Sequence, residues 1–389
     1  MKFDISKSLP AKVTEIKPSG IRKFFDILNE MKDVVGLTVG QPDFVTPWHI
    51  RNAGIRSLEE GLTYYTSNNG ILEFRQEIAA YQKRRFGLEY DPATEIIVTV
   101  GGSEAIDIAM RALIENGDEV IIPEPCFVCY EPLARLAGGV PVPIKLSPDN
   151  GFRLTAEQLR NAITDKTKLL VLPFPNNPTG SVMRKEDLEE IANVLRETNI
   201  CVLSDEIYAE LTYGEKHISI ASIPDMRERT IIANGFSKAY AMTGWRLGYT
   251  LAPEYFTKQM AKVHQFGIMC APTTSQYAAI EALKNGDADI EYMKGEYEAR
   301  RRLLVSELNR IGIETFMPDG AFYVFADIRK FGMPDEQFCE RLLYEKKCAI
   351  VPGSAFGESG SGFARLSYAY SPAHIKKAVK RIEEFIKTL

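Results

Sequence analysis

The residues that build metal and disulfide sites are scarce in this sequence. Its 389 residues hold six cysteines and four histidines. Only Cys126 and Cys129 have a redox or zinc spacing, and no second Cys-x-x-Cys pair or nearby histidine completes a ligand set. The cysteines, at 126, 129, 201, 270, 339 and 348, are therefore expected to be reduced thiols, mostly in the core, and no metal is expected. No run approaches the roughly 20 apolar residues of a membrane span. The opening MKFDISKSLP carries Asp4 and lacks an apolar stretch of signal-peptide length, so a cytoplasmic protein without a membrane partner is expected. A net charge of -5 supplies no surplus of cations for nucleic acid. Neither a GxxxxGK(S/T) loop nor a GxGxxG fingerprint occurs, and there is no internal repeat.

The composition is that of an ordinary globular chain, 45% hydrophobic and 25% charged. Its length predicts two domains sharing an interface. A strand-like run at 95–100 is followed, from 118 to 252, by alternating strand and helix patterns. Strands are expected at 119–122, 140–144, 168–173, 200–204, 230–233 and 248–252, and helices at 155–163 and 184–198. That alternation predicts an α/β fold whose large domain holds a mostly parallel sheet flanked by helices, with ligands at the carboxyl ends of strands. Helical patterns at 289–311, 334–346 and 372–389, with strands near 320–325 and 363–368, predict a smaller α+β domain, and a helical stretch at 253–285 precedes the passage to it. We expect residues 1–45 to form an N-terminal segment packing with the small domain, 46–285 the large domain and 286–389 the small one. Within 14–33 a helical period places Ile21, Phe24, Phe25 and Leu28 on one face. The charge-dense run from Glu296 to Arg302 is expected to be a solvated helix face.

Chemistry concentrates in the stretch NGFSKAYAMTGWRLGY, from Asn234 to Tyr249. Lys238 falls where a strand gives out, beside Ser237 and eight residues before Arg246. Such an amine can condense with an aldehyde while the hydroxyl and guanidinium hold a phosphate. A second half-site follows the strand at 95–100, where Gly101, Gly102 and Ser103 open a helix. Glycines leave the amides uncovered, and the helix N-terminus favours a dianion. Gly40 lies in a Gly-Gln-Pro-Asp turn that lets backbone approach a ligand. Prolines on both sides of Asn177, at 175 and 178, limit its backbone freedom. Asp205 ends a buried strand, where a carboxylate is costly unless it meets a cation.

The pattern small-apolar-Ser-Lys followed by Gly-x-Arg-x-Gly resembles the pyridoxal-phosphate attachment site of class I aminotransferases, and the likeness runs from Gly20 to the last helix. It implies the fold of pyridoxal-phosphate-dependent transferases, with a seven-stranded type of sheet, and pyridoxal 5'-phosphate as cofactor on Lys238. Asp205 would hold the ring nitrogen protonated, and Tyr208 with Asn177 would bond the ring's 3'-oxygen. Phe127 would stack on the ring; Gly101, Gly102, Ser103, Ser237 and Arg246 would hold the phosphate. Arg365, in a strand reading Arg-Leu-Ser-Tyr, would fork the substrate α-carboxylate, with Gly40 and Asn177 beside it. Tyr65, in a Tyr-x4-Gly pattern ending on Gly70, would reach the cofactor of a second subunit, which implies a homodimer with composite active sites.

Within the family the chain looks like the prokaryotic aspartate/aromatic branch. The stretches SGIRKF (19–24), GQPDFVTP (40–47), SDEIYAELTY (204–213) and KVHQF (262–266) look most like the Bacillus-type N-acetyl-diaminopimelate aminotransferase. Aspartate-specific relatives often carry a basic residue at the position of Ser103, and its absence here argues against strict dicarboxylate recognition. The expected reaction is ping-pong transfer of an amino group from an L-amino acid to 2-oxoglutarate. A carbon–sulfur β-lyase or an aspartate-specific enzyme on the same scaffold stays open. Ile21, Phe24 and Phe25 are expected to form an apolar lid.

Overall fold

The structure, a computed structural model, describes residues 8–18, 20, 31 and 33–389. Ile21, Phe24, Phe25 and Leu28, the helical face read at 14–33, lie outside the described residues.

Among the described residues the first elements are a short helix, α1 (Ala11–Thr14), β1 (Val35–Gly36), α2 (Trp48–Glu59) and α3 (Leu72–Phe86). Next come β2 (Ile96–Thr99), α4 (Gly101–Leu113), β3 (Glu119–Glu124), α5 (Tyr130–Ala137) and β4 (Val140–Lys145). They are followed by α6 (Ala156–Ala162), β5 (Thr167–Leu172), α7 (Lys185–Arg196), β6 (Cys201–Asp205), β7 (Thr230–Gly235) and β8 (Gly248–Leu251). The strands expected between 118 and 252 are all present, each within two residues of its expected ends. They join β2 in one seven-stranded sheet of order β2-β8-β7-β6-β5-β3-β4. The pairings on either side of β8 are antiparallel and the other four parallel. An α/β fold with a mostly parallel sheet is therefore what forms.

The central strands are near-continuous apolar runs because helices cover both faces. Their side chains alternate between two cores. Ile121, Leu170 and Val202 pack on one face with Leu188 and Ile191 of α7. Val120, Leu169, Leu203 and Ile231 pack on the other with Ile106 and Met110 of α4.

Two helices complete the wrapping, α8 (Glu254–Gly267) and α9 (Thr273–Asn285), and α10 (Asp287–Arg310) leads away from the sheet. Beyond it β9 (Tyr323–Asp327), α11 (Asp335–Lys346), β10 (Cys348–Ala349), β11 (Val351–Pro352), β12 (Phe363–Ser367) and α12 (Pro372–Ile386) form a second layer. Its three-stranded antiparallel sheet, β11-β12-β9, shares a core with α10, α11 and α12. Strand β1 pairs parallel to β10. Leu37 continues it by donating to Ala349 O and accepting from Ser367 N, both at 2.8 Å. It thus stitches the segment before residue 46 to that layer.

One expectation needs correction. The run from Glu296 to Arg302 is not a solvated face: Tyr297, Arg300 and Arg301 are buried. Arg300 pairs with Asp43 at 2.7 Å and lies over the Phe44 ring, while Arg301 donates to Pro318 O and lies over Tyr213. A long arginine stem buries beside aromatics once its head has an acceptor, so charge density alone misleads. Helices α2 and α5 were not anticipated. Of the six thiols, all free, Cys126, Cys339 and Cys348 are buried and the others only partly so.

Candidate active site

Strand ends assemble the site. Asp205 closes β6, Ser237 and Lys238 follow β7, and Gly101 follows β2, while Arg365 arrives from β12 in the other layer. Between the layers lies a cavity of about 270 Å³. Its wall includes Gly40, Gly102, Ser103, Phe127, Asn177, Asp205, Tyr208, Ser237, Lys238, Arg246 and Arg365. Eleven residues scattered over more than 300 positions thus meet in one space.

Gly101 stands just behind that wall. It has φ +79°, and a Cβ there would lie 2.6 Å from Arg246 Nη2. A Cβ on Gly248 would meet the Gly101 carbonyl carbon at 2.6 Å and Gly102 N at 2.8 Å. Glycine at both positions lets the Arg246 guanidinium and strand β8 close onto the first turn of α4. Arg246 itself has φ +52° and donates to Thr243 O at 3.1 Å.

Lys238 donates from Nζ to Gly40 O at 2.6 Å. Burial, then the cations Arg365 and Arg246, push its amine down to about 8, against a smaller upward pull from Asp205. Asp205 is 7% exposed. It accepts from Tyr130 Oη at 2.7 Å and Ile207 N at 3.1 Å, yet burial still raises its carboxyl above the usual range. It is a carboxylate short of a cation.

Arg365 is 2% exposed. Its Nη1 donates to Asn177 Oδ1 at 2.8 Å and its Nη2 to Thr38 O at 2.6 Å, while Nε is buried without a partner. Because arginine only donates, the Asn177 oxygen faces it, which leaves the amide N–H groups of Asn177 for the cavity. The guanidinium is sandwiched between Tyr323 and Phe356, 4.5 and 4.7 Å from the ring centroids.

Tyr65 is the exception. It is 81% exposed and lines a separate hollow of about 420 Å³ with Tyr64, Leu72, Arg75 and Tyr277. The KVHQF stretch reaches that region: His264 Nδ1 lies 2.6 Å from Glu104 Oε1 and Nε2 2.8 Å from Asn68 O. The histidine thus ties the loop carrying Tyr65 to the first turn of α4.

Tyr130 and Tyr323 line the cavity and were not anticipated. Tyr130 opens α5 three residues after Phe127, and no local motif in the sequence marked it. Tyr323 gave only the signal of a strand tyrosine after Gly-Ala-Phe.

The sequence profile of the family described as "Aminotransferase class I and II" matches residues 32–382. The chain belongs to this aminotransferase family. It is similar to YugH of Bacillus subtilis (strain 168), named as an aminotransferase without a substrate, with 53% identity covering 96% of this chain and 97% of the other. It is 44% identical to a second Bacillus subtilis (strain 168) protein, named as an N-acetyl-LL-diaminopimelate aminotransferase, over 97% of this chain and 95% of that one. Among solved structures it resembles the aromatic aminotransferase of Pyrococcus horikoshii OT3, with TM-score 0.90 and 43% identity over 94% of this chain and 99% of the other.

The aminotransferase depends on pyridoxal phosphate, as its family does, and the residues present fit that group. The Gly101–Arg246–Gly248 approach makes a narrow anion cradle at a helix N-terminus. Lys238 is an amine lowered towards neutrality, and the uncompensated Asp205 suits a protonated ring nitrogen.

Proposed function

We propose that the enzyme transfers an amino group from an L-amino acid to 2-oxoglutarate in two half-reactions that share one pocket, with Lys238 as the central residue. The observation that carries this is the meeting of Lys238, Asp205 and Arg365 in one cavity, with a lowered amine on the first.

Pyridoxal phosphate, when bound, supplies an aldehyde that takes up the amino group and a ring that accepts the electrons released when a Cα–H bond breaks. Lys238 would hold the cofactor and would take the substrate's Cα proton and pass it on, and an amine lowered to about 8 suits both directions. Asp205, kept in place by Tyr130 and Ile207 N, would hold the proton at the ring nitrogen. Asn177 and Tyr208 would donate to the 3'-oxygen, and Phe127 would set the ring plane by stacking, worth about 0.5–1.5 kcal/mol. Gly101, Gly102, Ser103, Ser237 and Arg246 would hold the phosphate. Arg365, with its orphan Nε, would take the α-carboxylate, with Gly40 beside it.

Residues 46–285 would act as the large domain, and 286–389 with the segment before 46 as the small one. The exposure of Tyr65, together with Tyr64 and Leu72 around it, supports a homodimer in which Tyr65 serves the neighbouring site.

Donor choice rests on what the cavity lacks. Among the described residues its only cations are Lys238, Arg246 and Arg365, each already engaged, and Ser103 adds no charge. Phe127, Ile106, Pro173 and Ile207 present apolar surface instead. An N-acylated diamino acid or an aromatic amino acid is therefore favoured over aspartate. Measuring kcat/KM for aspartate, phenylalanine, tyrosine and N-acetyl-diaminopimelate with 2-oxoglutarate tests it. An aspartate lead of a hundredfold, about 2.7 kcal/mol, would require a distal cation and overturn this preference.

A further inference from the structure

Tyr323 opens β9, is fully buried, and has no part in the reaction outlined above. Three contacts converge on its side chain. Its hydroxyl lies 2.8 Å from Tyr208 Oη, the only hydrogen-bond partner of Tyr208 Oη among the described residues. Its ring lies beneath the Arg365 guanidinium, 4.5 Å from the centroid. Its hydroxyl also presses on Gly40, where a Cβ would lie 2.5 Å away, and Gly40 O is the acceptor for Lys238 Nζ.

Burial raises both tyrosine hydroxyls above their ordinary range, so both keep their protons at working pH. Two protons and one shared bond leave a choice. If Tyr208 donates to Tyr323, it has no proton for an acceptor in the cavity; if Tyr323 donates, the Tyr208 proton is free. We propose that Tyr323 is a positioning residue that donates its hydroxyl proton to Tyr208 Oη and so commits the Tyr208 proton to the 3'-oxygen of the cofactor. The inference rests on the role proposed for Tyr208. The phenol ring has a second task, holding the Arg365 plane, and the two can be separated because phenylalanine keeps the ring and loses the hydroxyl.

The test uses cofactor-loaded dimer or monomer as purified, without substrate, and follows visible absorbance against pH in Tyr323→Phe, Tyr208→Phe and the double variant. Tyr208→Phe should raise the midpoint. Tyr323→Phe should raise it by a smaller amount, because Tyr208 keeps its proton for the 3'-oxygen but loses the bond that orients and polarises it, with KM for the donor unchanged. In the Tyr208→Phe background Tyr323→Phe should add nothing. A native midpoint in Tyr323→Phe beside a shifted Tyr208→Phe overturns the inference and leaves the Tyr208 reading intact. An undiminished Tyr323→Phe shift in the Tyr208→Phe background also overturns it, since Tyr323 would then act by another route. A native midpoint in Tyr208→Phe removes the Tyr208 reading itself, and the inference with it.

Discussion

Replacing Arg365 with lysine keeps one positive charge in the cavity and removes the fork. In the native site the guanidinium spends Nη1 on Asn177 Oδ1 and Nη2 on Thr38 O, lies between the Tyr323 and Phe356 rings, and has Nε left over. A lysine ammonium is a point charge, and reaching the substrate carboxylate would cost it the anchors on Asn177 and Thr38. A hydrogen bond to a charged group is worth about 1.5–3 kcal/mol. Losing one outright and weakening a second amounts to about 2–4 kcal/mol, or about 30- to 1,000-fold in kcat/KM. The loss should appear with every amino donor and with 2-oxoglutarate alike, because all share the α-carboxylate. Cofactor binding, followed by visible absorbance, should persist, since Lys238, Asp205 and the cradle at Gly101 are untouched. The assay is single-turnover reaction of loaded enzyme with each donor in excess. An Arg365→Lys enzyme within about threefold of native for all donors would refute the assignment of the carboxylate to Arg365.

Three further outcomes are expected. Asp205→Asn should lower turnover by several orders of magnitude with the fold intact by circular dichroism, because an amide cannot hold the ring nitrogen protonated; a loss under about tenfold, 1.4 kcal/mol, would mean another carboxylate does that work. Mixing inactive Lys238→Ala chains with Tyr65-deficient chains should restore part of the activity through hybrid dimers, and full activity in a monomer by sedimentation would exclude a composite site. His49 sits between Asp289 at 2.9 Å and Glu281 at 2.8 Å; burial pulls its pKa down, but the two carboxylates outweigh this and leave it raised. A raised folded pKa stabilises below the unfolded value of about 6.5 and ceases to as pH rises through the folded value. The melting-temperature deficit of His49→Asn should therefore be larger at pH 5.5 than at pH 8.5, and a larger deficit at the higher pH would contradict the ion pair.

Much of the fold could be read from the sequence because its large sheet is built of short apolar strands, such as Ile121–Ile122 and Leu169–Leu172, separated by amphipathic helices. That periodicity survives in one dimension. The small layer was less legible: β1 and β10 hold two residues each, and their pairing joins positions more than 300 apart. The site residues were legible where a local motif carried them, as at Lys238 and Arg246. Tyr130 and Tyr323 were not, since each acts through a partner distant in sequence, Asp205 and Tyr208. Arg300 and Arg301 misled for the same reason: the groups that meet them, Asp43 and Pro318 O, belong to other elements.

The central claim is that Lys238 is the residue that carries the cofactor. Borohydride treatment of the yellow, loaded enzyme followed by proteolysis and mass spectrometry tests it most directly. The account predicts one cofactor-modified peptide, carrying its added mass on Lys238, and none in Lys238→Ala. Modification of a different lysine in the native enzyme would contradict it.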